Sequence, residues 1–335
     1  MTGPQAPPAG GALPAGDGAI GRLRVLSRLT GAFLLDTVQI ARGASDPLDT
    51  LLASAIIQAN VADIQRHADV LVAFAESDAP PPDSLRRPVS INAVAASLNL
   101  PFETVRRRIG AMARDGFVRF VDGGVIVPAQ ALSEPRYAVD AYRGYERLRA
   151  FYYDLSDLGL LGELPPPTVE LAPGVVPVRA VARLVGAYVL RVAEAIARIG
   201  DLWDGLILFE VFRSNTEHWS ADVRGQEGTA AADMPPDAMR RPVSVGFVAR
   251  RLGMSPETVR RHVLGMIDRG FIVRTAGGLI VPAEALARPA VFPSLAVSAA
   301  NLHRLMAALS QLGVLAVWDS VRETCPPAVD AAAAG

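Results

Sequence analysis

The sequence has no lysine, one cysteine and four histidines among its 335 residues. The single cysteine, Cys325, excludes an internal disulfide framework and a zinc site built on cysteine. Because no two histidines lie four residues apart, neither a metal site nor a cofactor is expected. All of the cations are arginine, whose planar guanidinium group suits phosphate and guanine. A GC-rich genome also favours arginine codons, so this composition alone does not identify a partner.

The sequence also lacks a long hydrophobic run. The stretch from Val181 to Ile199 is interrupted by four charged residues, which is typical of an amphipathic helix and not of a membrane span. The N-terminus lacks the basic start and apolar core of a signal peptide. We therefore expect a cytoplasmic protein without membrane contact, with tails at 1–19 and 318–335.

Enzyme signatures and a strong net charge are missing as well. No phosphate-binding loop, GxGxxG, GxSxG or HExxH motif occurs, so an enzyme is not expected. The formal net charge of −1 argues against a protein that coats nucleic acid. The chain is longer than one compact core usually organises, which predicts two domains.

An internal duplication is the most informative feature that the sequence does contain. Residues 86–135 align without gaps with residues 240–289 at an offset of 154, and 25 of 50 positions are identical. Weaker matches continue on both sides, so the repeated unit is a whole domain. The predicted units are 20–161, with its core at 86–135, and 178–317, with its core at 240–289, joined by a proline-rich linker at 162–177.

The second copy shows the order of elements within each core. Ser244 is predicted to cap a short helix that ends at Leu252, and Ser255 to cap a second helix with Pro256 at its first position. Gly270 is expected to end this helix. Its core-facing residues are predicted to be Val259, Val263 and Met266. Two short β-strands are predicted to follow this helix, at 271–273 and 279–281. Helix, tight turn, helix and hairpin is the order of a winged helix-turn-helix.

The strings SPETVRRHVLGMIDRGFI and PFETVRRRIGAMARDGFV resemble the recognition helix and first wing strand of bacterial regulators of the GntR, IclR and MarR type. The resemblance covers about 50 residues in each copy. It implies a mainly α fold with small β-hairpin wings, in which a winged helix-turn-helix domain with flanking helices is duplicated in tandem. It also implies that each recognition helix lies in the major groove of double-stranded DNA.

The resemblance implies that residues of the two recognition helices contact DNA, and we predict nearby arginines and His262 as further contacts. In the first copy they are Arg86, Arg87, Glu103, Thr104, Arg106, Arg107 and Arg108. In the second copy they are Arg240, Arg241, Arg250, Arg251, Ser255, Glu257, Thr258, Arg260, Arg261 and His262. The charge pattern agrees, because residues 86–120 carry +5 (seven arginines, two acids) and residues 240–274 carry +6 (eight arginines, two acids). The arginine pairs Arg86-Arg87 and Arg240-Arg241 could equally bind acids of the flanking helices.

Two other groups of residues invite interpretation. Asn60 and Asn215 occupy matching positions in apolar helices and are predicted to be paired core amides that set the helix register. Five of the six tyrosines follow the first core, where an interdomain or dimer interface is the favoured use and a small-molecule pocket the weaker one. They are Tyr137, Tyr142, Tyr145, Tyr152 and Tyr153.

These observations favour a DNA-binding transcription regulator whose two modules act as a pseudo-dimer, associated with the nucleoid when DNA is bound. The wing tips Asp122-Gly123-Gly124 and Ala276-Gly277-Gly278 carry no cation, and Pro101-Phe102 replace Ser255-Pro256, so the copies need not bind equally. The alternative is a tandem winged-helix scaffold for protein interactions that reads no bases. Homodimerisation and an unidentified small-molecule effector, bound between the uncharged helices, stay open.

Overall fold

The computed structural model describes residues 17–43, 45–64, 74–75, 80–171, 174–199, 201–223, 236–288 and 292–324, which are mainly helical. The helices are α1 Asp17–Arg42, α2 Pro47–Asn60, α3 Ile91–Ser97, α4 Phe102–Arg114, α5 Ala129–Leu132, α6 Pro135–Asp157, α7 Val178–Ile199, α8 Leu202–Val223, α9 Val245–Leu252, α10 Pro256–Asp268, α11 Ala283–Ala287, α12 Phe292–Gln311 and α13 Val314–Thr324. The strands are β1 Arg119–Val121, β2 Gly124–Ile126, β3 Val273–Thr275 and β4 Gly278–Ile280. Across these ranges no helix combines the length and the apolarity that a bilayer crossing requires.

Capping side chains begin the helices where the sequence predicts them. The carboxylate of Asp46 accepts a hydrogen bond from the backbone N–H of Leu48 at 2.8 Å, and Pro47 opens α2. Ser244 and Ser255 accept hydrogen bonds from the N–H groups three residues further on, at 3.1 Å each. These three predicted caps are confirmed. The first copy has no capping side chain at Pro101, before α4.

The order short helix, turn, helix and antiparallel hairpin occurs twice, as α3-α4-β1-β2 (the first helix–hairpin segment) and as α9-α10-β3-β4 (the second). The predicted inner face of α10 is confirmed. Its members Val259, Val263 and Met266 are at most 1% exposed. Strand β3 starts at Val273 and not at the predicted Phe271. The reason is that the N–H of Phe271 bonds to the carbonyl of Met266 and closes the end of α10.

Each hairpin also pairs with the residues that precede its segment. Val243 and Leu279 exchange two backbone hydrogen bonds, as Val89 and Val125 do in the first copy. A Cβ atom at Gly278 would lie 2.5 Å from the carbonyl oxygen of Val243, and the φ of Gly278 is +137°. Glycine at this position therefore lets the hairpin approach the backbone beside it.

The two copies share one central core. It is built from α1 and α6 of the first copy and from α7, α12 and α13 of the second. Phe33 stacks on Phe151 with ring centroids 4.5 Å apart, and Tyr188 of the second copy packs against Phe33. A smaller core lies under each helix–hairpin segment, between α2 and α4 and between α8 and α10. The two units predicted along the chain thus pack against each other through this shared core.

The packing between the copies is reciprocal. Helix α1 packs on α6 of its own copy and on α12 of the other, and α7 packs on α12 and on α6 in the same way. Likewise α1 contacts α8, and α7 contacts α2. The matching glycines Gly31 and Gly186 lie at these last two crossings, beside Phe209 and Gln58. Equivalent helices therefore make equivalent contacts, as the subunits of a two-fold dimer do.

The C-terminal end of the described chain corrects one prediction. Residues 318–324 were expected to be part of a tail, but they belong to α13, and Trp318 is 0% exposed. Its indole N–H donates a hydrogen bond to the hydroxyl of Tyr145 at 2.7 Å, and the hydroxyl of Tyr152 donates to Asp319 at 3.0 Å. The predicted use of the tyrosine cluster as an interdomain interface is confirmed at these residues. Val314, Leu315 and Trp318 lie at helical spacing, which is the signal that was missed.

The other predicted connections are partly described. Residues 162–171 and 174–177 of the proline-rich linker form neither helix nor strand, and the linker lies against α12, where Ser310 donates a hydrogen bond to the carbonyl of Pro165 at 2.7 Å. The N-terminal tail was predicted to end at residue 19, but α1 begins at Asp17. Residues 1–16 and 325–335 of the predicted tails lie outside the described residues.

Candidate nucleic-acid interface

Helices α4 and α10 present matching ion pairs to solvent. Arg106 donates two hydrogen bonds to Glu103, at 2.9 and 3.0 Å, and Arg260 donates two to Glu257, at 2.7 and 2.9 Å. All four side chains are more than half exposed. The hydrogen bond from Arg260 holds the pKa of Glu257 below its usual value. The two pairs place a cation and an acceptor together near the first turn of each helix.

Arg107 and Arg261 lie beside these pairs and are free to bind a ligand. Both are exposed, and neither makes a hydrogen bond or an ion pair within the described parts of the chain. Arg107 lines a shallow concavity on α4. The other residues of this concavity are Glu103, Thr104, Arg106, Gly110 and Arg114. Arg114 was not predicted as a site residue, because it lies at the end of the helix and not near its start.

Several other predicted contact residues are exposed around the two helices. Arg87, Arg241 and Arg250 are exposed cations, and Arg87 lies 3.9 Å from Asp63. The hydroxyl groups of Ser255 and Thr258 are 2.7 Å apart, so the cap of α10 uses part of their hydrogen-bonding capacity. Arg87 and Arg241 precede the helix–hairpin segments, and Arg250 lies on α9. Ser255 and Thr258 lie at the start of α10.

The faces of α4 and α10 that lie opposite these ion pairs are bound to α2 and α8, respectively. Arg108 contacts Asp49 at 2.9 Å and Asp46 at 3.2 Å, both at the start of α2. At the matching position His262 lies 2.7 Å from Asp204, at the start of α8. The side chain of His262 is 12% exposed and that of Arg108 is 27% exposed. The acids draw both side chains toward the neighbouring helices, and the contact of Arg108 and His262 with DNA stays a prediction.

Arg86 and Arg240 are also removed from the surface. The side chain of each is 0% exposed, and each Nε lies 3.4 Å from an aspartate three residues earlier, Asp83 or Asp237. Burial lowers the pKa of both arginines. The predictions that they contact DNA are wrong. Arg86 and Arg240 thus lie beside acids of the turn just before them, while Arg87 and Arg241 stay exposed. Pairing with acids of the flanking helices stays a prediction.

Arg251 has a structural partner too. Its Nε donates a hydrogen bond at 3.0 Å to Glu210 of α8, whose side chain is 0% exposed. A buried carboxylate thus holds Arg251, whose side chain is 33% exposed, against α8, and its contact with DNA stays a prediction. Arg250, its neighbour on α9, stays exposed.

Four aspartates that orient the two segments were not predicted as site residues. Asp49 and Asp204 hold the inner faces of α4 and α10, as described above. Asp83 and Asp237 accept hydrogen bonds from the backbone N–H groups of Ala129 and Ala283, at 2.7 and 2.8 Å. Each pair is identical between the copies, and this identity is the signal that could have found them.

The aspartate tethers lead to a testable prediction. Replacing Asp49 or Asp204 by asparagine is expected to lower the free energy of unfolding by about 1 kcal/mol each, because a charge-assisted contact becomes a neutral one at a partly exposed site. Urea denaturation measures this loss. Asp268→Asn, an exposed residue of α10, is the matched control and is expected to change stability by less than about 0.5 kcal/mol. Equal stability of Asp204→Asn and Asp268→Asn would exclude a tether.

Comparison with known proteins finds no matching family model, no similar curated protein and no similar solved structure. Within the described residues, no three histidine, cysteine, aspartate or glutamate side chains group as metal ligands would.

Proposed function

We propose that the chain is a sequence-specific, double-stranded DNA-binding transcription regulator. It is built from two tandem copies of a winged helix-turn-helix domain, and each copy uses its second helix to read the major groove. One observation carries the proposal. Arg107 and Arg261 occupy matching positions, face outward and bind no other described residue, while the opposite faces of their helices are bound to the core.

The exposed side chains suit base recognition. An arginine fork donates two parallel hydrogen bonds to the O6 and N7 atoms of guanine, and a glutamate accepts one from the N4 amino group of cytosine. Arg106 and Arg260 are already oriented by Glu103 and Glu257, so less side-chain freedom is lost on binding. The exposed Arg87, Arg241 and Arg250 are suited to phosphate, which adds affinity without sequence preference.

The reciprocal packing of the helices supports a pseudo-dimer. If the two reading helices face the same side, they match half-sites about one helical turn apart, roughly 34 Å. Because Pro101 and Phe102 replace Ser255 and Pro256, the two half-sites are expected to differ in sequence.

The test begins by selecting duplexes of 30 base pairs from a random library with the full-length protein. Fluorescence anisotropy then measures affinity for the enriched duplex. The double variant Arg107→Ala/Arg261→Ala is expected to lose about 2 to 6 kcal/mol of binding free energy, because one bidentate contact with guanine contributes about 1 to 3 kcal/mol. That loss corresponds to a rise in Kd of roughly 30-fold or more.

The matched control is Arg143→Ala/Arg304→Ala. It removes the same charge from exposed positions on α6 and α12, away from the reading helices. Its affinity for the enriched duplex is expected to stay within about threefold of that of the wild type, because distant exposed charges are screened by salt. The proposal fails if no duplex is enriched, or if both double variants bind equally well.

A protein-interaction scaffold is the second candidate, and the bare wing tips favour it. The hairpin turns Asp122-Gly123-Gly124 and Ala276-Gly277-Gly278 hold no cation, and Arg119 of β1 is bound to Asp83 at 2.6 Å. Salt dependence separates the candidates. A DNA reader that contacts about six phosphates loses about a thousandfold in affinity between 50 and 200 mM salt, whereas a scaffold shows no such loss.

A further inference from the structure

A cavity of about 620 Å³ lies between α1, α2 and α6 of the first copy and α7 and α8 of the second. Small-molecule sites in proteins typically measure about 300 to 1,000 Å³, whereas well-packed interiors contain few voids larger than a water molecule. The cavity therefore has the size of a binding site, and it is at the junction of the two copies, where ligand sites often lie.

Comparison of the two copies shows why this space is open. Ala53 and Ser54 of α2 line the cavity. When the copies are aligned through their core asparagines, α8 has Leu208 and Phe209 at these two positions. The ring of Phe209 packs against the central core beside Gly31 of α1, where an added Cβ would lie 3.2 Å from the ring. The chain thus places large side chains at one of the two equivalent helix crossings and small ones at the other.

Most of the cavity wall is apolar. Helix α2 has no charged residue from Thr50 to Ala62, and Trp203 of α8 adds an aromatic side chain to the wall. Aliphatic side chains from α1, α2 and α7 line the same space: Leu34, Val38, Leu51, Ile57, Val185 and Val189. A molecule that fills this part must have an apolar body, because these aliphatic side chains offer no hydrogen bonds.

The charged side chains of the wall balance one another. The described wall holds four aspartates and four arginines, so its formal net charge is zero. Asp46 and Asp49 bind an arginine of α4, as described above. Asp140 of α6 lies 3.8 Å from Arg143 on the same helix, and Asp115, just after α4, is exposed. A cationic ligand would therefore meet acids that are either bound within the chain or in contact with water.

The arginines of the wall also have partners within the chain. They are Arg86, Arg136, Arg179 and Arg183. The first two each lie 3.4 Å from an acid, Asp83 and Glu134 respectively. The last two donate hydrogen bonds to backbone carbonyls, at 3.2 and 2.9 Å. An anionic ligand would therefore compete with partners that these arginines already have.

The uncharged polar groups that α2 contributes to the wall are bonded in the same way. The hydroxyls of Thr50 and Ser54 donate hydrogen bonds to the carbonyls four residues earlier, at 3.2 and 2.9 Å. The amide nitrogen of Gln58 donates to the carbonyl of Arg183 at 2.9 Å. A molecule in the cavity therefore gains affinity chiefly by removing apolar surface from water, and an uncharged one does so without the cost of burying a charge.

We propose that this cavity binds an uncharged, largely apolar small molecule. The molecule lies between α2 and α7, beside the small side chains Ala53 and Ser54. Binding at this site does not require DNA, so it is tested separately from the proposed function.

Fluorescence titration of the full chain with N-phenyl-1-naphthylamine tests the site, because this uncharged probe emits more strongly in apolar surroundings. Saturable binding is expected. Ser54→Phe gives α2 the residue that α8 has at the matching position, and its ring is expected to occupy the cavity and weaken the probe at least about tenfold. Ser156→Phe adds the same ring at an exposed position near the end of α6, outside the cavity wall, and is expected to bind the probe as the wild type does.

A second variant keeps the site testable if Ser54→Phe does not fold, which thermal unfolding shows. Ala53→Leu makes the matching exchange at the neighbouring position, and it is also expected to weaken the probe. The absence of saturable binding to the wild type would overturn the proposal. Binding that a folded Ser54→Phe or Ala53→Leu variant retains at full strength would overturn the cavity as its site.

A charged analogue tests the chemistry of the ligand. The compound 8-anilinonaphthalene-1-sulfonate has the same rings and one negative charge. Its affinity for the wild type is expected to be at least about tenfold lower than that of the uncharged probe, because the sulfonate must leave water. Equal or tighter binding of the sulfonate that Ser54→Phe abolishes would overturn the assignment of an uncharged ligand.

Discussion

Replacing Asn60 or Asn215 by leucine is expected to lower the free energy of unfolding by about 3 to 5 kcal/mol, because three buried backbone groups lose their partners at about 1 to 3 kcal/mol each before relaxation. The side-chain oxygen of Asn60 accepts a hydrogen bond from the N–H of Val127 at 2.9 Å. Its amide nitrogen donates to the carbonyls of Arg87 at 2.8 Å and Val125 at 3.2 Å. Leucine has a similar volume but makes none of these bonds.

The second copy repeats this arrangement and provides an internal check. Asn215 accepts from the N–H of Val281 at 3.0 Å and donates to the carbonyls of Arg241 and Leu279 at 2.8 and 3.0 Å. The two asparagines are 1% and 0% exposed. Each ties a long helix to the residues before a helix–hairpin segment and to the hairpin itself. The predicted role of the two asparagines as paired core amides is confirmed.

Urea and thermal denaturation measure the loss, and Asn92→Leu serves as the control. Asn92 is an exposed asparagine of α3, so its replacement is expected to change stability by less than about 0.5 kcal/mol. A loss below about 1 kcal/mol for both Asn60→Leu and Asn215→Leu would show that the backbone groups find other partners.

Replacing Glu210 by alanine is expected to lower the free energy of unfolding by about 3 to 5 kcal/mol, because it removes the buried carboxylate that binds both Arg213 and Arg251 and leaves Asp36 as the one acid among the described residues that is bound to Arg213. Glu210 is 0% exposed. It accepts hydrogen bonds from Arg213 at 2.6 Å, Ser214 at 3.0 Å and Arg251 at 3.0 Å. Arg213, whose side chain is 9% exposed, would lose its nearest acid on the same helix.

The network around Glu210 extends into the first copy. Arg213 also bonds to Asp36 of α1 at 2.6 Å, and Asp36 accepts from Arg147 of α6 at 2.8 Å. Five alternating charges thus join α6, α1, α8 and α9. The network holds the second helix–hairpin segment against helices of the first copy, so the Glu210→Ala variant is also expected to loosen the relation between the two segments.

Chemical denaturation tests the prediction, with two comparisons. Glu217→Ala removes an exposed glutamate from the same helix and is expected to change stability by less than about 0.5 kcal/mol. Glu210→Gln keeps hydrogen-bonding groups and is expected to lose less than the alanine variant. If Glu210→Ala is as stable as Glu217→Ala, the network does not stabilise the fold.

The first copy has no counterpart of this network, and the sequence comparison could not reveal it. Ala55 stands where the second copy has Glu210, and Ser97 stands where it has Arg251. Comparing the copies finds what both retain, such as Asn60 with Asn215 and Asp49 with Asp204. A charge network that only one copy has requires knowledge of which helices cross.

Local signals were sufficient for much of the fold. The duplication, the caps Asp46, Ser244 and Ser255, the inner face of α10 and the core asparagines all follow from residue spacing or from the comparison of the two copies. These features depend on hydrogen bonds within a few residues or on helical periodicity, which the sequence displays directly.

The tertiary structure decided where the charged side chains of the candidate interface point. Arg107 and Arg108 are neighbours of the same type, yet Arg107 faces solvent while Arg108 binds Asp49, which is 59 residues away in the chain. Burial of Arg86, docking of α13 on α6 and the cavity between the copies likewise depend on how distant helices cross. Residue order determines each helix and its apolar face, but an arginine near the edge of that face takes whichever acid the neighbouring helix brings within reach.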